Sequence, residues 1–129
     1  MPDPAPPEGP AAAGVLDAVQ RFNDALAAGD LTAVTALLSD DTVFENTGPA
    51  PDGTRLQGRT TVAAFWARWM AANPGAWFET EEAFAAGERC VVRWIYRKHR
   101  DGAPWHLRGV DVFTVRSGRI VEKLSYVKG

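Results

Sequence analysis

Apolar side chains in the first half of the chain recur every three or four residues, which is the spacing of an amphipathic helix. The first such helix ends at residues 27–30, Ala-Ala-Gly-Asp, and Asp30 can cap a short second helix. A third helix ends at Asn-Pro-Gly, residues 73–75, because proline disfavours helical geometry in the residue before it. The apolar stripes of the first and third helices are Val15, Val19, Phe22 and Leu26, and Val62, Phe65, Trp66, Trp69 and Met70.

The second half of the chain is rich in β-forming residues, in runs that are separated by short turns of the hairpin type. An earlier short strand is predicted at residues 40–46, and residues 47–58 form a loop because they hold two prolines and three glycines. Three helices followed by an antiparallel meander predict an α+β fold in which one curved sheet wraps around the helices. The four later strands are expected at about 76–86, 89–99, 104–116 and 119–127.

The chain of 129 residues has the length of one domain. Proline at five of the first ten positions predicts a disordered tail over residues 1–10, which leaves residues 11–129 as the single domain. A formal net charge of -2 argues against a general nucleic-acid binder, and no apolar stretch approaches the roughly 20 residues that cross a bilayer. We therefore expect a cytoplasmic protein that binds a small apolar molecule and neither nucleic acid nor a membrane.

Cys90 is the only cysteine, so no intramolecular disulfide can form. Its position in a strand-like run favours a buried, inert thiol. His99 and His106 flank a predicted hairpin, and neither has metal-ligand spacing with another histidine, cysteine or carboxylate. A glycine-rich phosphate loop is also absent from the sequence. The sequence therefore predicts neither a metal nor a cofactor.

Asp111 lies in the middle of an apolar, strand-like run at residues 108–115. A carboxylate in such a site must be paired, hydrogen-bonded or protonated, and each of these changes its chemistry. Because side chains alternate along a strand, Asp111 faces the same side as Gly109, which leaves room for a ligand to approach the carboxylate. Val110 and Val112 face the opposite, outer side, where they favour contact between two copies of the chain.

Two interpretations of Asp111 stay open at this point. The residue is either a functional acid or the partner of Lys123, or of an arginine, in a structural ion pair. Asn46 is similarly ambiguous, since at a strand end it can bond either the loop backbone or a ligand. Aromatic residues are numerous enough to line an apolar cavity, although rings at such spacings are more often plain core. These rings are Phe22, Phe44, Phe65, Trp66, Trp69, Trp94 and Tyr96.

Three segments of the sequence resemble the nuclear transport factor 2-like superfamily, and within it the SnoaL-like and ketosteroid isomerase-like proteins. They are AVQRFNDALAAGDLTAVTALLSDDTVFEN, LQGRTTVAAFW and RGVDVFTVRSGRIVEKLSYVKG. The resemblance implies a cone-shaped fold, in which a curved antiparallel sheet wraps around three N-terminal helices. It also implies a homodimer that forms through the outer face of the sheet.

The resemblance to ketosteroid isomerases does not extend to their full set of catalytic residues. Such an enzyme would place a phenol at position 22, a catalytic-base carboxylate at position 46 and a protonated carboxyl at position 111. This chain has Phe22, Asn46 and Asp111, so only one of the three residue types is present. Phenylalanine cannot donate a hydrogen bond to an oxyanion, and asparagine cannot shuttle a proton as a carboxylate does.

Two other types within the superfamily can be compared with the chain. A limonene epoxide hydrolase would need an arginine and two aspartates, but the corresponding positions hold Val92, Trp94 and Ser125. SnoaL-like polyketide cyclases, by contrast, resemble this chain in keeping an acid on the strand of Asp111. In those enzymes the acid acts as general acid/base in an aldol ring closure.

The sequence therefore predicts a cofactor-independent enzyme of cyclase or isomerase type that acts on a small apolar or polycyclic molecule, with Asp111 as general acid/base. Asn46 would orient the substrate. Burial alone would disfavour the charged form of Asp111 and let it keep its proton near neutral pH. If Lys123 points inward with Ser125, as the resemblance implies, it would instead pair with Asp111 and hold it ionised, and Asp111 would then be a base and not an acid. The predicted substrate-binding residues are Phe22, Phe44, Phe65, Trp66, Trp69, Trp94, Tyr96, Phe113 and Ser125.

Two alternatives are weighed against this enzyme. In the first, the same pocket holds a hydrophobic ligand without changing it. In the second, the outer sheet face binds a different protein through Val110 and Val112, but that face is already needed for the expected homodimer.

Overall fold

The computed structural model describes residues 9–129, and their side chains from Ala12 onward. Residues 1–8 of the predicted tail lie outside the described residues. Positions 9 and 10, which the prediction also assigned to the tail, belong to the first helix, which begins at Gly9. The elements, in chain order, are α1 (Gly9–Ala28), α2 (Leu31–Ala36), β1 (Leu38–Glu45), β2 (Arg55–Gln57), α3 (Arg59–Ala72), β3 (Trp77–Ala86), β4 (Arg89–Arg100), β5 (Ala103–Arg116) and β6 (Arg119–Val127).

The three predicted helices and their end signals are confirmed. The Asp30 carboxylate caps α2, because it accepts a hydrogen bond from the backbone N–H of Ala33 at 3.1 Å. Helix α3 ends directly before the Asn-Pro-Gly turn, and the Asn73 side chain donates to the Trp69 carbonyl at 2.9 Å. The backbone N–H of Asn73 donates to the same carbonyl at 3.0 Å, so Asn73 holds the end of the helix through both its backbone and its side chain.

The sheet has six strands in the order β2-β1-β6-β5-β4-β3. Strands β3 to β6 form the predicted antiparallel meander. The expectation of a wholly antiparallel sheet is wrong, since β1 pairs with β6 in parallel and the sheet is mixed. The predicted loop at residues 47–58 is also partly wrong, because it contains β2, which pairs with β1. Three residues are too few to show the alternation that identifies a strand.

The concave face of the sheet packs against α1 and α3, and the core lies between them. Pairing shifts register between Thr80 and Glu82 in β3, and between Thr114 and Val115 in β5. Irregularities of this kind bend strands, which lets the sheet curve around the helices. The centre of the core is a set of fully buried rings, with Phe22 edge-on to Phe44 at 5.9 Å and to Phe113 at 6.1 Å between centroids.

The outer face of the sheet carries Val110 and Val112, both partly buried, on the side opposite Asp111 as the alternation predicts. Charged pairs cross the strands around them, including Arg93 with Glu82 at 3.1 Å. No helix within residues 9–129 is long and apolar enough to span a membrane.

Candidate functional site

A cavity of about 330 Å³ lies between the helices and the concave face of the sheet. Its wall is mostly apolar and aromatic, with polar groups from β5, β6 and the segment that follows β1, which is the usual make-up of a small-molecule site. The lining residues are Asn23, Leu26, Ala27, Asn46, Thr47, Gly48, Phe65, Trp66, Trp69, Ala76, Trp77, Phe78, Thr80, Val92, Trp94, Tyr96, Leu107, Asp111, Lys123 and Ser125.

Asp111, Lys123 and Ser125 form a hydrogen-bonded ionic cluster on this wall. The Ser125 hydroxyl donates to Asp111 Oδ1 at 2.7 Å, and Lys123 Nζ donates to Ser125 Oγ at 2.8 Å. Lys123 Nζ also lies 3.6 Å from Asp111 Oδ2. Asp111 is only 8% exposed and Lys123 only 6%. A buried charge pair of this kind persists when both ions are paired and hydrogen-bonded.

Strand register brings the cluster together. Asp111 and Ser125 are direct partners across β5 and β6, so their side chains emerge on the same face. Lys123 precedes Ser125 by two residues and therefore shares that face. Its ammonium lies 5.4 Å from the Phe44 ring centroid and 5.3 Å from that of Trp66, which adds cation–π attraction.

Nine of the twelve predicted site residues lie on the cavity wall, and three do not. Phe22, Phe44 and Phe113 are 0% exposed and pack against one another behind the wall, in the closed core. Phe22 belongs to α1, and Phe44 and Phe113 belong to β1 and β5, so the three rings fill the contact between this helix and the sheet. The nine on the wall are Asn46, Phe65, Trp66, Trp69, Trp94, Tyr96, Asp111, Lys123 and Ser125.

Gly109 has a different role from the one that the sequence indicated. It is the partner of Trp94 across β4 and β5, and a Cβ at position 109 would lie 2.3 Å from Trp94 Cζ2 and 2.5 Å from the Tyr126 carbonyl oxygen. The space that Gly109 leaves is therefore filled by the indole of Trp94 and not by a ligand approaching Asp111. The glycine is required because the indole lies against the backbone.

Two polar wall residues differ in how far their hydrogen bonds are satisfied. The Tyr96 hydroxyl donates to Asn73 Oδ1 at 3.1 Å, so its proton is already engaged, and burial raises the pKa of this phenol above its usual value of 10.0. Asn46 bonds the loop through its backbone N–H, which donates to the Thr54 carbonyl at 2.9 Å. Its side-chain Nδ2 is buried and finds no acceptor among the described residues.

Several residues of the cavity wall were not predicted. For one of them, Phe78, the sequence held a pattern that could have identified it. Phe78 stacks on Trp69 at 5.5 Å and lies 4.8 Å from Tyr96, its partner across β3 and β4. Alternation within the predicted strand at 76–86 could have placed Phe78 beside Tyr96. Asn23, Leu26 and Thr47 had no such signal, since their location depends on how a helix and a loop pack against the sheet.

Residues outside the cluster offer little other chemistry. Cys90 is buried, and burial raises the pKa of its thiol from 9.0 to about 11, as expected for an inert cysteine. The described chain, from residue 9 to the C-terminus, holds no group of three histidine, cysteine, aspartate or glutamate residues placed to bind a metal ion.

Comparisons with known proteins extend this picture. A family model for the SnoaL-like domain matches residues 19–123. An NTF2-like protein of unknown function from Mesorhizobium loti is 37% identical, with a TM-score of 0.81, and the match covers 100% of this chain and 98% of that one. An LEH-like epoxide hydrolase from M. tuberculosis is 26% identical, with a TM-score of 0.79 and coverage of 92% and 86%.

A candidate polyketide cyclase from Sinorhizobium meliloti is 25% identical, with a TM-score of 0.70 and coverage of 85% of this chain and 94% of that one. No curated protein matches the sequence significantly.

Proposed function

The chain belongs to the SnoaL-like domain family, and from this premise we propose that it is a cofactor-independent enzyme that acts on a small, largely apolar or polycyclic carbonyl compound by proton transfer. Asp111 is the group that takes and returns the proton. The observation that supports this most strongly is the position of the Asp111–Lys123 pair on the wall of a cavity of about 330 Å³. A purely structural ion pair needs no void beside it.

The surroundings of Asp111 favour the role of base over that of acid. Lys123 supplies a positive charge 3.6 Å from Oδ2, and the Ser125 hydroxyl donates to Oδ1. Both contacts are made to acceptor oxygens, which is what a carboxylate base offers. Oδ1 accepts the hydrogen bond from the serine, whereas Oδ2 accepts none from the described residues and lies 3.6 Å from Lys123 Nζ. We propose that Oδ2 is the atom that receives the proton.

The reaction begins when Asp111 takes a proton from the carbon next to the substrate's carbonyl group. The electron pair of that C–H bond forms the C=C bond of an enolate, whose negative charge rests on oxygen. Where the substrate also holds a C=C bond conjugated with the enolate, return of the proton to the far carbon of the resulting dienolate shifts the double bond and gives an isomer. Attack of the enolate carbon on a second carbonyl carbon closes a ring instead, and Asp111 then delivers its proton to the new alkoxide. General base catalysis of this kind contributes about 10² to 10⁴ in rate.

Other chemistries of related proteins fit the wall less well. Positions 22 and 46 hold phenylalanine and asparagine, so the phenol and the second carboxylate of a ketosteroid isomerase are missing. The similarity to an epoxide hydrolase of M. tuberculosis is offset by the residues at three wall positions. Val92, Trp94 and Ser125 stand where an arginine and two aspartates would be required.

A non-catalytic ligand-binding protein is the second candidate. The aromatic wall favours it, since Trp69, Phe78 and Tyr96 pack on one another at 4.8 to 5.9 Å and would bind a flat apolar ligand without further chemistry. Formation of a product separates the two candidates.

Deuterium uptake provides a direct test, because it detects proton abstraction without knowledge of the natural substrate. The protein is incubated with 2-tetralone in D2O, and the ketone's carbon-bound hydrogens are followed by NMR. The enzyme hypothesis predicts exchange at least tenfold faster than in buffer at equal pD. Binding of 2-tetralone with exchange at the buffer rate would support the binding protein and contradict the enzyme.

We also propose that the protein is a homodimer through the outer sheet face. Val110, Val112 and Leu124 lie together there, and neighbouring Tyr126 is 56% exposed in the single chain. Sedimentation equilibrium tests this proposal, and a monomer at micromolar concentration would contradict it.

A further inference from the structure

The concave face of the sheet continues beyond the cavity toward the hairpin that joins β4 and β5. Tyr96 and Leu107 are partners across these two strands, and both line the cavity. Because side chains alternate along a strand, the next pair on this face is Lys98 and Trp105, and Arg100 follows two residues later. None of these three lies on the cavity wall, so they stand directly outside the cavity at its hairpin end.

The cavity opens toward the same hairpin. Along β4, Val92 and Trp94 are 2% and 6% exposed, whereas the next wall residue on this face, Tyr96, is only half-buried. Trp77, which begins β3 and also lines the cavity, is 40% exposed. Asp111 is the partner of Val92 and therefore lies toward the buried end. A ligand that enters from the open end passes the two cations at the hairpin.

Lys98 and Arg100 have no carboxylate partner among residues 9–129. Neither forms an ion pair there, not even with Asp101 of the adjoining turn. Three arginines on the outer face of the same strands, by contrast, each pair with a glutamate of β3. These pairs are Arg93 with Glu82, Arg97 with Glu79 and Arg108 with Glu81. The two charges beside the cavity are therefore left for an anion from outside the described chain.

One aromatic ring holds these two cations together. The Lys98 ammonium lies 5.5 Å from the Trp105 ring centroid, and the Arg100 guanidinium carbon lies 4.8 Å from it. The Lys98 ammonium is also 5.8 Å from the Tyr96 ring centroid, so it leans back toward the cavity wall. Cation–π contact positions a charged group and leaves its N–H donors free for an acceptor atom. The two cations are thus placed to bind one anionic group at the mouth of the cavity.

We propose that Lys98 and Arg100 bind the anionic group of an amphipathic substrate whose apolar part fills the cavity. This group is a carboxylate, a sulfonate or a phosphate. The inference rests on the proposed function and adds a charged end to its substrate. Three same-face steps along β4, about 20 Å between Cα atoms, separate Lys98 from Val92, the partner of Asp111. The anionic group is therefore carried on a chain, away from the carbon that loses its proton.

Three probes with the same apolar part and the same chain test the sign of the bound charge: 6-(2-naphthyl)hexanoate, its neutral amide and 6-(2-naphthyl)hexylamine. Calorimetric titration gives their affinities. We expect the carboxylate to bind at least fivefold more tightly than the amide, and the amine to bind most weakly. The difference between carboxylate and amide should shrink as the ionic strength rises from about 0.01 M to about 1 M, because salt screens exposed charges.

The double variant Lys98→Gln/Arg100→Gln removes both charges and keeps polar side chains. It should bind carboxylate and amide with affinities within about twofold of each other. Arg89→Gln is the matched control, because Arg89 is an exposed cation without an ion pair in the described chain, at the opposite end of β4. It should keep the full preference for the carboxylate. If the double variant fails to fold, Arg100→Gln at the exposed position decides, with an expected loss of at least twofold in that preference.

Equal affinity for carboxylate and amide in the natural protein, an undiminished preference in the double variant, or failure of all three probes to bind would each overturn this inference. Binding to vesicles of anionic phospholipid that requires both cations, without a preference for the soluble carboxylate, would overturn it in favour of a membrane surface. Deuterium uptake by 2-tetralone, which has no anionic group, tests the proposed function separately. A preference for the carboxylate without such exchange would contradict the enzyme and leave the anion site standing.

Discussion

Asp111 and Ser125 face each other directly across β5 and β6, and the serine hydroxyl donates a 2.7 Å hydrogen bond to the carboxylate. The same hydroxyl accepts from Lys123 Nζ at 2.8 Å, so the serine joins the two charges of the pair. Of the two interpretations of Asp111 that the sequence left open, the structure shows the ion pair with Lys123, and the role of functional acid stays a prediction. The residue has a buried counter-ion, and it also borders a cavity.

The ion pair makes a specific prediction about stability. Asp111→Asn removes one charge and leaves the Lys123 cation buried without its counter-ion, which should lower the free energy of unfolding by about 3 kcal/mol. Lys123→Met should destabilise by a similar amount for the converse reason. In the double variant no charge remains unpaired, so most of the loss should be recovered. Denaturant unfolding of the four proteins measures this, and losses that simply add would show that the charges are not coupled.

The contact between Gly109 and Trp94 predicts a second effect on stability. Gly109→Ala places a methyl group within 2.5 Å of the indole and the Tyr126 carbonyl, so the ring must shift, at a cost of about 1–3 kcal/mol. Gly14→Ala is the matched control. Position 14 lies in α1 with no atom within 4 Å of the added Cβ, and alanine there should stabilise by up to about 1 kcal/mol. Thermal unfolding distinguishes the two, and equal melting temperatures would contradict the contact.

The buried thiol predicts a pH dependence. Burial raises the pKa of Cys90 from 9.0 to about 11, so the folded protein keeps the thiol proton to higher pH than the unfolded chain does. The free energy of unfolding that depends on this group is therefore complete below pH 9 and falls as pH rises toward 11. Cys90→Ala should show a shallower fall over this window. Identical slopes for the two proteins would show that the thiol is not protected.

The same burial predicts the reactivity of the thiol. A disulfide reagent such as dithionitrobenzoate should react with Cys90 only as fast as the protein unfolds, and completely in denaturant. Rapid reaction with the folded protein would contradict a buried position.

Much of the fold could be predicted from the sequence because the local signals are strong. The turns at Gly87, Gly102 and Gly118 separate the last four strands, and each glycine has a positive φ that other residues rarely adopt. The parallel pairing of β1 with β6 could not be predicted in this way. Alternation along a strand identifies its two faces, but it does not give its direction relative to a strand far away in the sequence.

The sequence predicted the parts of the site whose position follows from the alternation of side chains along a strand. It did not predict the parts whose position depends on how deeply a side chain is buried between the helices and the sheet. Alternation correctly placed Asp111 on the face opposite Val110, and the register then brought Ser125 beside it. In the sequence, Phe22 and Phe44 cannot be distinguished from Trp66, because all three are aromatic residues of predicted helices or strands. In the structure, however, Phe22 and Phe44 lie behind the cavity wall. How far a ring lies from the closed end of the core depends on how the helices pack on the sheet, and periodicity does not report that distance.

The central claim is that the Asp111 carboxylate moves a proton of a bound carbonyl compound, and deuterium uptake by 2-tetralone in D2O tests it most directly. The assay compares the natural protein with Asp111→Asn, with the charge-balanced Asp111→Asn/Lys123→Met variant, and with Trp105→Phe as a control away from the wall. We predict accelerated exchange in the natural protein and in Trp105→Phe, and a loss of about 10² to 10⁴ in the catalysed rate in both Asp111 variants while they remain folded. Exchange as fast in the folded Asp111 variants as in the natural protein would contradict the claim.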